Sequence, residues 1–413
     1  MKAKPHGPVP AGYVADEQGV LRIGGMSALA LADHGTPQFV YDLALVAARV
    51  RALRQAMPPD VAIHYAIKAN SHPDLLAAMA GMVDGFDVAS GGELHMAVAA
   101  GMAPQRISFA GPGKRNDELT AGIRAGATVN VESEGEAERA LHIGQTLDLR
   151  AQLAVRVNPD FELKGSGMRM GGGAKPFGVD AERVPDLIRR IVAEGGDYRG
   201  LHIFAGSQAL DADALIEAQA NTLALAARLS QAAGVAPPHL NLGGGFGVPY
   251  FAGDAPLDAS RIGAALGEAL AARPAILGAT HMVIELGRYL VAEAGVYLTR
   301  VVDRKQSHGE TFLIVDGGLH HQLAASGNFG TVIRRNYPIA IAGRFADEPD
   351  EIVHVVGCLC TPLDRLGDAV ELPRADVGDV VAIFLAGAYG ASASPTAFLG
   401  HPPAMERVIG IAG

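Results

Sequence analysis

Tryptophan is missing from the 413 residues and aromatics make up only 5%, so the core must be built from Ala, Val, Leu and Ile rather than large rings. Only two cysteines occur, Cys358 and Cys360. Two apart on a strand, they share a face, which argues against a disulfide between them and for a reducing compartment, with the cytoplasm the simplest address. Basic charge is in the minority: Lys and Arg number 34 against 44 Asp and Glu, a net −10 with no basic run. That excludes a nucleic-acid footprint and favours a small-molecule partner. No apolar stretch of signal-peptide type follows Met1, and the one long uncharged stretch, 380–400, is broken by Gly387, Gly390, Ser392, Ser394 and Pro395, so no membrane span is expected. No metal-ligand set is read from the spacing of His, Cys, Asp and Glu.

What is present is an ordinary globular balance, 49% hydrophobic and 19% charged, with a high count of 52 glycines. The length exceeds one hydrophobic core and implies two or three domains. From about residue 60, short apolar or β-branched runs alternate with longer Ala/Leu-rich runs of helical spacing. Candidate strands are 61–68, 85–89, 107–110, 128–132, 152–158, 200–205, 239–242 and 281–286. Helical candidates are 43–57, 74–82, 93–100, 117–125, 134–141, 184–193, 212–232 and 261–271. Ser71-His72-Pro73-Asp74 reads as a helix N-cap just after Lys68. Eight strands with alternating helices predict a TIM-like (β/α)8 barrel. Pattern alone is also open to a doubly wound sheet, and the polar residues at strand ends favour the barrel. After Tyr289 the texture changes to strands at 290–304, 311–316, 351–358 and 380–386 without long helices. The expected organisation is an N-terminal segment 1–40 packing on the C-terminal domain, a barrel over 41–289, and a β-rich, Greek-key-like barrel or sandwich domain over 290–413.

In a barrel the active site collects at the C-terminal ends of the strands. Strand one ends in Lys68-Ala69-Asn70, strand six in Phe204-Ala205-Gly206-Ser207-Gln208, strand seven in Gly243-Gly244-Gly245-Phe246-Gly247 and strand eight in Glu285-Leu286-Gly287-Arg288. A glycine run is most often a tight turn, but it also lets backbone N–H groups approach an anion, and Ser207 and Arg288 on flanking strands are natural phosphate ligands. The run fits neither a dinucleotide fingerprint nor a Walker loop. Lys68 is either a snorkelling strand-end lysine or a Schiff-base lysine with a partly desolvated amine. A phosphate site, an inward lysine and an inward carboxylate, Glu285, together describe a pyridoxal 5'-phosphate pocket.

At these residues the chain resembles the fold-type III pyridoxal phosphate-dependent decarboxylases, the diaminopimelate/ornithine/arginine decarboxylase family. Tyr65-Ala66-Ile67-Lys68-Ala69-Asn70, Phe86-Asp87-Val88-Ala89-Ser90, Gly243-Gly244-Gly245, Glu285-Leu286-Gly287-Arg288 and Gly387-Ala388-Tyr389-Gly390 carry the resemblance. It implies that Lys68 holds the cofactor, that Gly243, Gly244, Gly245, Ser207 and Tyr389 serve its phosphate, and that Glu285 pairs with the pyridine nitrogen. Arg288 is implied near phosphate and substrate. A carboxylate at the ring nitrogen deepens the electron sink and favours decarboxylation over racemisation. The resemblance further implies a homodimer with shared active sites, in which Cys360 of the partner subunit delivers a proton to the α-carbon.

Two positions depart from the family. Phe204 stands where a histidine usually stacks on the cofactor ring, and Thr361 stands where lysine- and polyamine-forming members carry an acid for a distal amine. With Cys360-Thr361-Pro362-Leu363-Asp364, Phe204 is similar to the branch associated with exosortase and exopolysaccharide gene systems, related to decarboxylases of carrier-tethered amino acids. Arg334 or Arg335 and Tyr337 match a substrate-carboxylate site more loosely, beside Arg288, Thr361 and Asp364 as substrate contacts. The implied activity is a carbon–carbon lyase acting on a free α-amino acid or on a carrier-protein-tethered or acylated one. Diaminopimelate decarboxylase proper, an amino-acid racemase and a catalytically silent regulatory homologue are the alternatives.

Overall fold

The computed structural model describes residues 2–165, 167–327 and 334–410. The chain divides into two compact units, one of Val50–Gly247 with Leu257–Gly287, the other of Met1–Arg49, Val248–Pro256 and Arg288–Gly413.

The first unit is a closed barrel of eight parallel strands: β1 (Val61–Ala66), β2 (Gly85–Val88), β3 (Ile107–Phe109), β4 (Thr128–Val131), β5 (Gln152–Asn158), β6 (Asp197–Ile203), β7 (His239–Gly244) and β8 (His281–Leu286). Pairing runs β5-β6-β7-β8-β1-β2-β3-β4, and β4 closes on β5. Short β-branched and Leu-rich runs form these strands because most of their positions are buried. Ile63, Val129, Val131, Leu153, Val155, Leu240 and Ile284 are fully enclosed, joined by Phe86 and Phe109.

Strand-to-helix turns on the rim use one repeated device. After β2, the Ser90 hydroxyl accepts from the Glu93 N–H at 3.1 Å while the Glu93 carboxylate accepts from the Ala89 N–H at 2.7 Å. After β4, Ser133 and Glu136 do the same, with the Glu132 N–H as the returning donor. Each Ser-x-x-Glu thus starts a helix and fixes the residue that ends the strand.

Three local expectations change. The strand expected over 61–68 stops at Ala66, and Lys68 sits on a single 3-10 turn, Ile67–Ala69. The cap of the following helix Pro73–Ala80 is His72, whose ring accepts from the Asp74 N–H, not Ser71. β6 ends at Ile203, and Gly206–Ser207 forms a separate short strand antiparallel to Met168–Arg169.

The second unit is β-rich. Its strands run in the order Ile339–Ile341, Val380–Phe384, Gly295–Ser307, Glu310–Val315, Glu351–Val356 and Arg365–Leu372. The N-terminal strand Gln38–Asp42 pairs antiparallel with the start of Gly295–Ser307 and parallel with Met405–Ile409. Leu21, Ile23, Leu31, Val40, Leu298 and Phe384 share one core cluster. Residues 290–294, expected as strand, are instead the helical turn Arg288–Val291 followed by the 3-10 turn Ala292–Ala294. Cys358 and Cys360 lie past the end of Glu351–Val356, on a bend rather than a strand, and both are free thiols. Among the described residues no helix is long and apolar enough to cross a membrane.

Candidate active site

The last barrel strand supplies the acid. Glu285 is only 8% exposed, and its Oε2 accepts from His202 Nε2 at 2.9 Å, with Asn241 Nδ2 at 3.5 Å. Burial pushes the carboxyl up; the His202 hydrogen bond and charge, with the Lys68 and Arg156 cations, outweigh it and hold the group below the usual carboxylate range. Glu285 is therefore an anion at neutral pH, as a partner for a protonated ring nitrogen must be. His202, 3% exposed, keeps its other nitrogen, Nδ1, buried with no hydrogen-bond partner among the described residues.

Lys68 is exposed at the rim, its ammonium 5.9 Å from the centre of the half-buried Phe204 ring. Partial desolvation of its amine, read from the apolar run before it, is not what this geometry supplies. The 3-10 turn lifts the side chain clear of β1. Its charge reaches both Glu285 and Glu93. Deeper in the rim, Arg156 donates to Glu132 at 2.8 Å, and Glu132 also accepts from the N–H groups of Gly111 and Gly178. This bonded network stiffens the strand ends around β4 and β5.

The glycine run has two jobs. Gly245 has φ +80°, and a Cβ there would lie 2.6 Å from the Gly206 carbonyl oxygen; at Gly244 a Cβ would collide with the carbonyl of Glu285. Close contact with the neighbouring rim backbone thus requires bare backbone before any ligand is considered. The Gly243 and Gly247 N–H groups donate to Asn241 Oδ1 and the Ala209 carbonyl, both at 2.8 Å, so neither reaches an anion without giving up that bond. Ser207 is half-buried on its short strand, followed by Gln208 at φ +61°.

The remaining expected site residues belong to the β-rich unit. Arg288 is held between two tyrosines: its guanidinium lies 4.7 Å from the Tyr389 ring centre and donates to the Tyr250 hydroxyl at 3.0 Å. Tyr389 itself takes a left-handed φ of +56°. Tyr337 is buried against Tyr250, while Arg335 is exposed and stacks over Phe251 at 3.7 Å. Arg334 reaches the Leu363 carbonyl at 3.4 Å. Cys360 is exposed and Thr361 half-buried.

Asp364 is corrected from substrate contact to loop clamp. It is buried, and its two carboxylate oxygens accept from the N–H groups of Leu319 at 2.6 Å and Leu359 at 2.8 Å. Asp364→Ala is expected to orphan both amides at about 1–3 kcal/mol each, read as a lower denaturant midpoint. An unchanged midpoint would show that the clamp carries no weight.

Sequence reasoning missed His202 and Asn241. The signal was available for His202: it lies two before Phe204 at the end of one strand, on the face that alternation turns the same way. A cavity of about 300 Å³ opens among the N-terminal ends of the strands, lined by His64, Arg199, His239 and His281 among others, and it reaches Asn241 beneath Glu285. A pyridoxal phosphate fits the rim chemically: an exposed amine, a buried anion, an aromatic ring beside the amine and a glycine-lined turn are all present.

Comparison with known proteins decides the family. A family model described as "Pyridoxal-dependent decarboxylase, pyridoxal binding domain" matches residues 43–292. The chain belongs to the pyridoxal-dependent decarboxylases. Membership makes it a carbon–carbon lyase with pyridoxal phosphate as cofactor. It is 37% identical to the L-glutamyl-[BtrI acyl-carrier protein] decarboxylase of Niallia circulans, over 90% of this chain and 88% of the relative. It is 33% identical to the diaminopimelate decarboxylase of Methanothermobacter thermautotrophicus, over 92% and 88% respectively. The crystal structure of diaminopimelate decarboxylase from M. jannaschii superposes with a TM-score of 0.87 at 26% identity, covering 96% of this chain and 92% of that one.

Proposed function

We propose that this decarboxylase acts on a carrier-tethered or acylated amino acid rather than on a free diamino acid. The observation that carries the reading is the loop after Cys360. Its one acid, Asp364, has both oxygens bound by backbone amides, and Thr361 is neutral. The loop therefore offers a distal ammonium no carboxylate, and a charged amine brought there without a partner would be costly. Similarity to the Niallia relative supports the same substrate class. With Phe204, this loop also supports placing the chain in the exosortase- and exopolysaccharide-associated branch.

Bound pyridoxal phosphate supplies an electron sink for the carbanion left when CO2 departs. Lys68 holds the cofactor's aldehyde, and Glu285, kept ionised by His202, retains the proton on the ring nitrogen. Phe204, beside Lys68, would offer the cofactor ring an apolar face and no hydrogen bond. Ser207 and the glycine turn serve the phosphate on the barrel side; the phosphate roles of Arg288 and Tyr389 rest on the motif resemblance. The enzyme is proposed to be a cytoplasmic homodimer in which the exposed Cys360 of the partner subunit reprotonates the α-carbon.

A second reading, decarboxylation of diaminopimelate, is favoured by the archaeal relatives. Measuring CO2 from a glutamyl thioester on a phosphopantetheinyl carrier, from free glutamate and from diaminopimelate separates the two. The thioester should give the highest kcat/KM. Turnover of diaminopimelate with none of the thioester would contradict the proposal, and inversion without CO2 would turn the enzyme into a racemase.

A further inference from the structure

The β-rich unit carries a second cluster of reactive side chains that the decarboxylation does not use. His320 follows the strand Glu310–Val315 and is fully buried, yet neither ring nitrogen has a hydrogen-bond partner among the described residues. Buried polar groups are rarely left so, and each case calls for a partner. Its neighbour His321 is committed elsewhere, Nδ1 to the Tyr297 hydroxyl at 3.1 Å and Nε2 to the Pro402 carbonyl at 2.9 Å. The His320 ring packs 3.7 Å from that of His321 and 5.1 Å from that of His401, and beside His401 lies Cys358, whose Sγ is 3.9 Å from both of its ring nitrogens. One ligand atom from each of His320, Cys358 and His401 falls within 4.8 Å of the other two.

We propose that His320, Cys358 and His401 bind a divalent transition-metal cation, zinc in the first instance. A tetrahedral zinc with Zn–N near 2.0 Å and Zn–S near 2.3 Å sets its ligands about 3.3–3.6 Å apart, so small side-chain rotations close this cluster onto one ion. Two imidazoles and a thiolate are a soft donor set that selects zinc, or cobalt as its surrogate, over magnesium or calcium. Three protein ligands leave the fourth position to water. The ion would tie together three segments distant in sequence: the turn after Glu310–Val315, the bend carrying Cys358, and His401 near the C-terminus. Binding costs the Cys358 thiol its proton, which is released to solvent.

The test uses the full cofactor-loaded chain, dialysed free of metal and then titrated with Zn2+ for elemental analysis or Co2+ for absorbance. Wild type should hold one cation per chain and, with Co2+, show a thiolate-to-cobalt charge-transfer band with tetrahedral d–d bands. Cys358→Ser should lose the charge-transfer band and bind more than about tenfold more weakly, while Cys360→Ser, two residues along, keeps both. His320→Gln should weaken binding likewise; if that buried variant fails to fold, the half-buried Cys358 decides. Wild type holding no more metal than Cys358→Ser would overturn the proposal. So would a band that depends on Cys360 instead of Cys358.

Discussion

Lys68→Ala is expected to give a folded, colourless protein that no longer releases CO2. Lys68 stands exposed on its 3-10 turn beyond β1, so truncating it removes little packing and should shift stability by no more than an ordinary surface substitution. Its chemical loss is large. The amine that holds the cofactor's aldehyde is gone, and the rate should fall by at least about 10²–10⁴-fold, the span of one positioned acid–base group. Glu285 stays ionised in this variant, because His202 and Arg156 still act on it. Absorbance after adding pyridoxal phosphate, together with a CO2 assay, reads both effects. A variant that keeps the lysine-bound chromophore would remove Lys68 from the role.

Glu285→Gln should separate charge from structure. The amide can still meet His202 Nε2, so the fold and much of the cofactor affinity survive, but the anion that keeps the ring nitrogen protonated is lost. CO2 release should slow on the order of 10²–10³-fold, the scale of removing one preorganised electrostatic partner. Glu285→Ala should do the same while also stranding His202, which is buried with no other partner for either nitrogen among the described residues, and should therefore cost stability as well. Equal losses of cofactor affinity and rate in the Gln variant would argue against the electron-sink role. Since the fold holds this carboxyl below its ordinary 4.5, wild-type activity should show no acid limb from Glu285 until the pH falls beneath that value.

Much of the barrel was legible because the strands are buried over most of their positions and therefore read as short apolar runs. All eight strands overlap the expected runs, with β6 shifted to begin at Asp197 and end at Ile203, and the helix Val184–Ala193 matches its expected bounds. Errors came where apolar character outlasts the strand. Ile67 is buried but sits in a 3-10 turn, so the run through it carried Lys68 onto a strand that had already ended. Leu290 and Val291 are likewise buried in a helical turn, and a short apolar run cannot by itself distinguish strand from helix. The resemblance of the Cys360–Asp364 segment implies Asp364 as a substrate contact; its backbone partners at Leu319 and Leu359 are visible only in the folded loop. The His320, Cys358 and His401 cluster left no spacing signal, its members being dozens of residues apart.

Decarboxylation by this chain depends on a cofactor held by Lys68. Borohydride reduction of the pyridoxal phosphate-loaded enzyme, followed by peptide mass spectrometry, tests it most directly. One pyridoxyl-phosphate adduct is expected, on the peptide containing Lys68 and on no other lysine. An adduct on Lys114 or elsewhere, or none on an enzyme that still releases CO2, would contradict it.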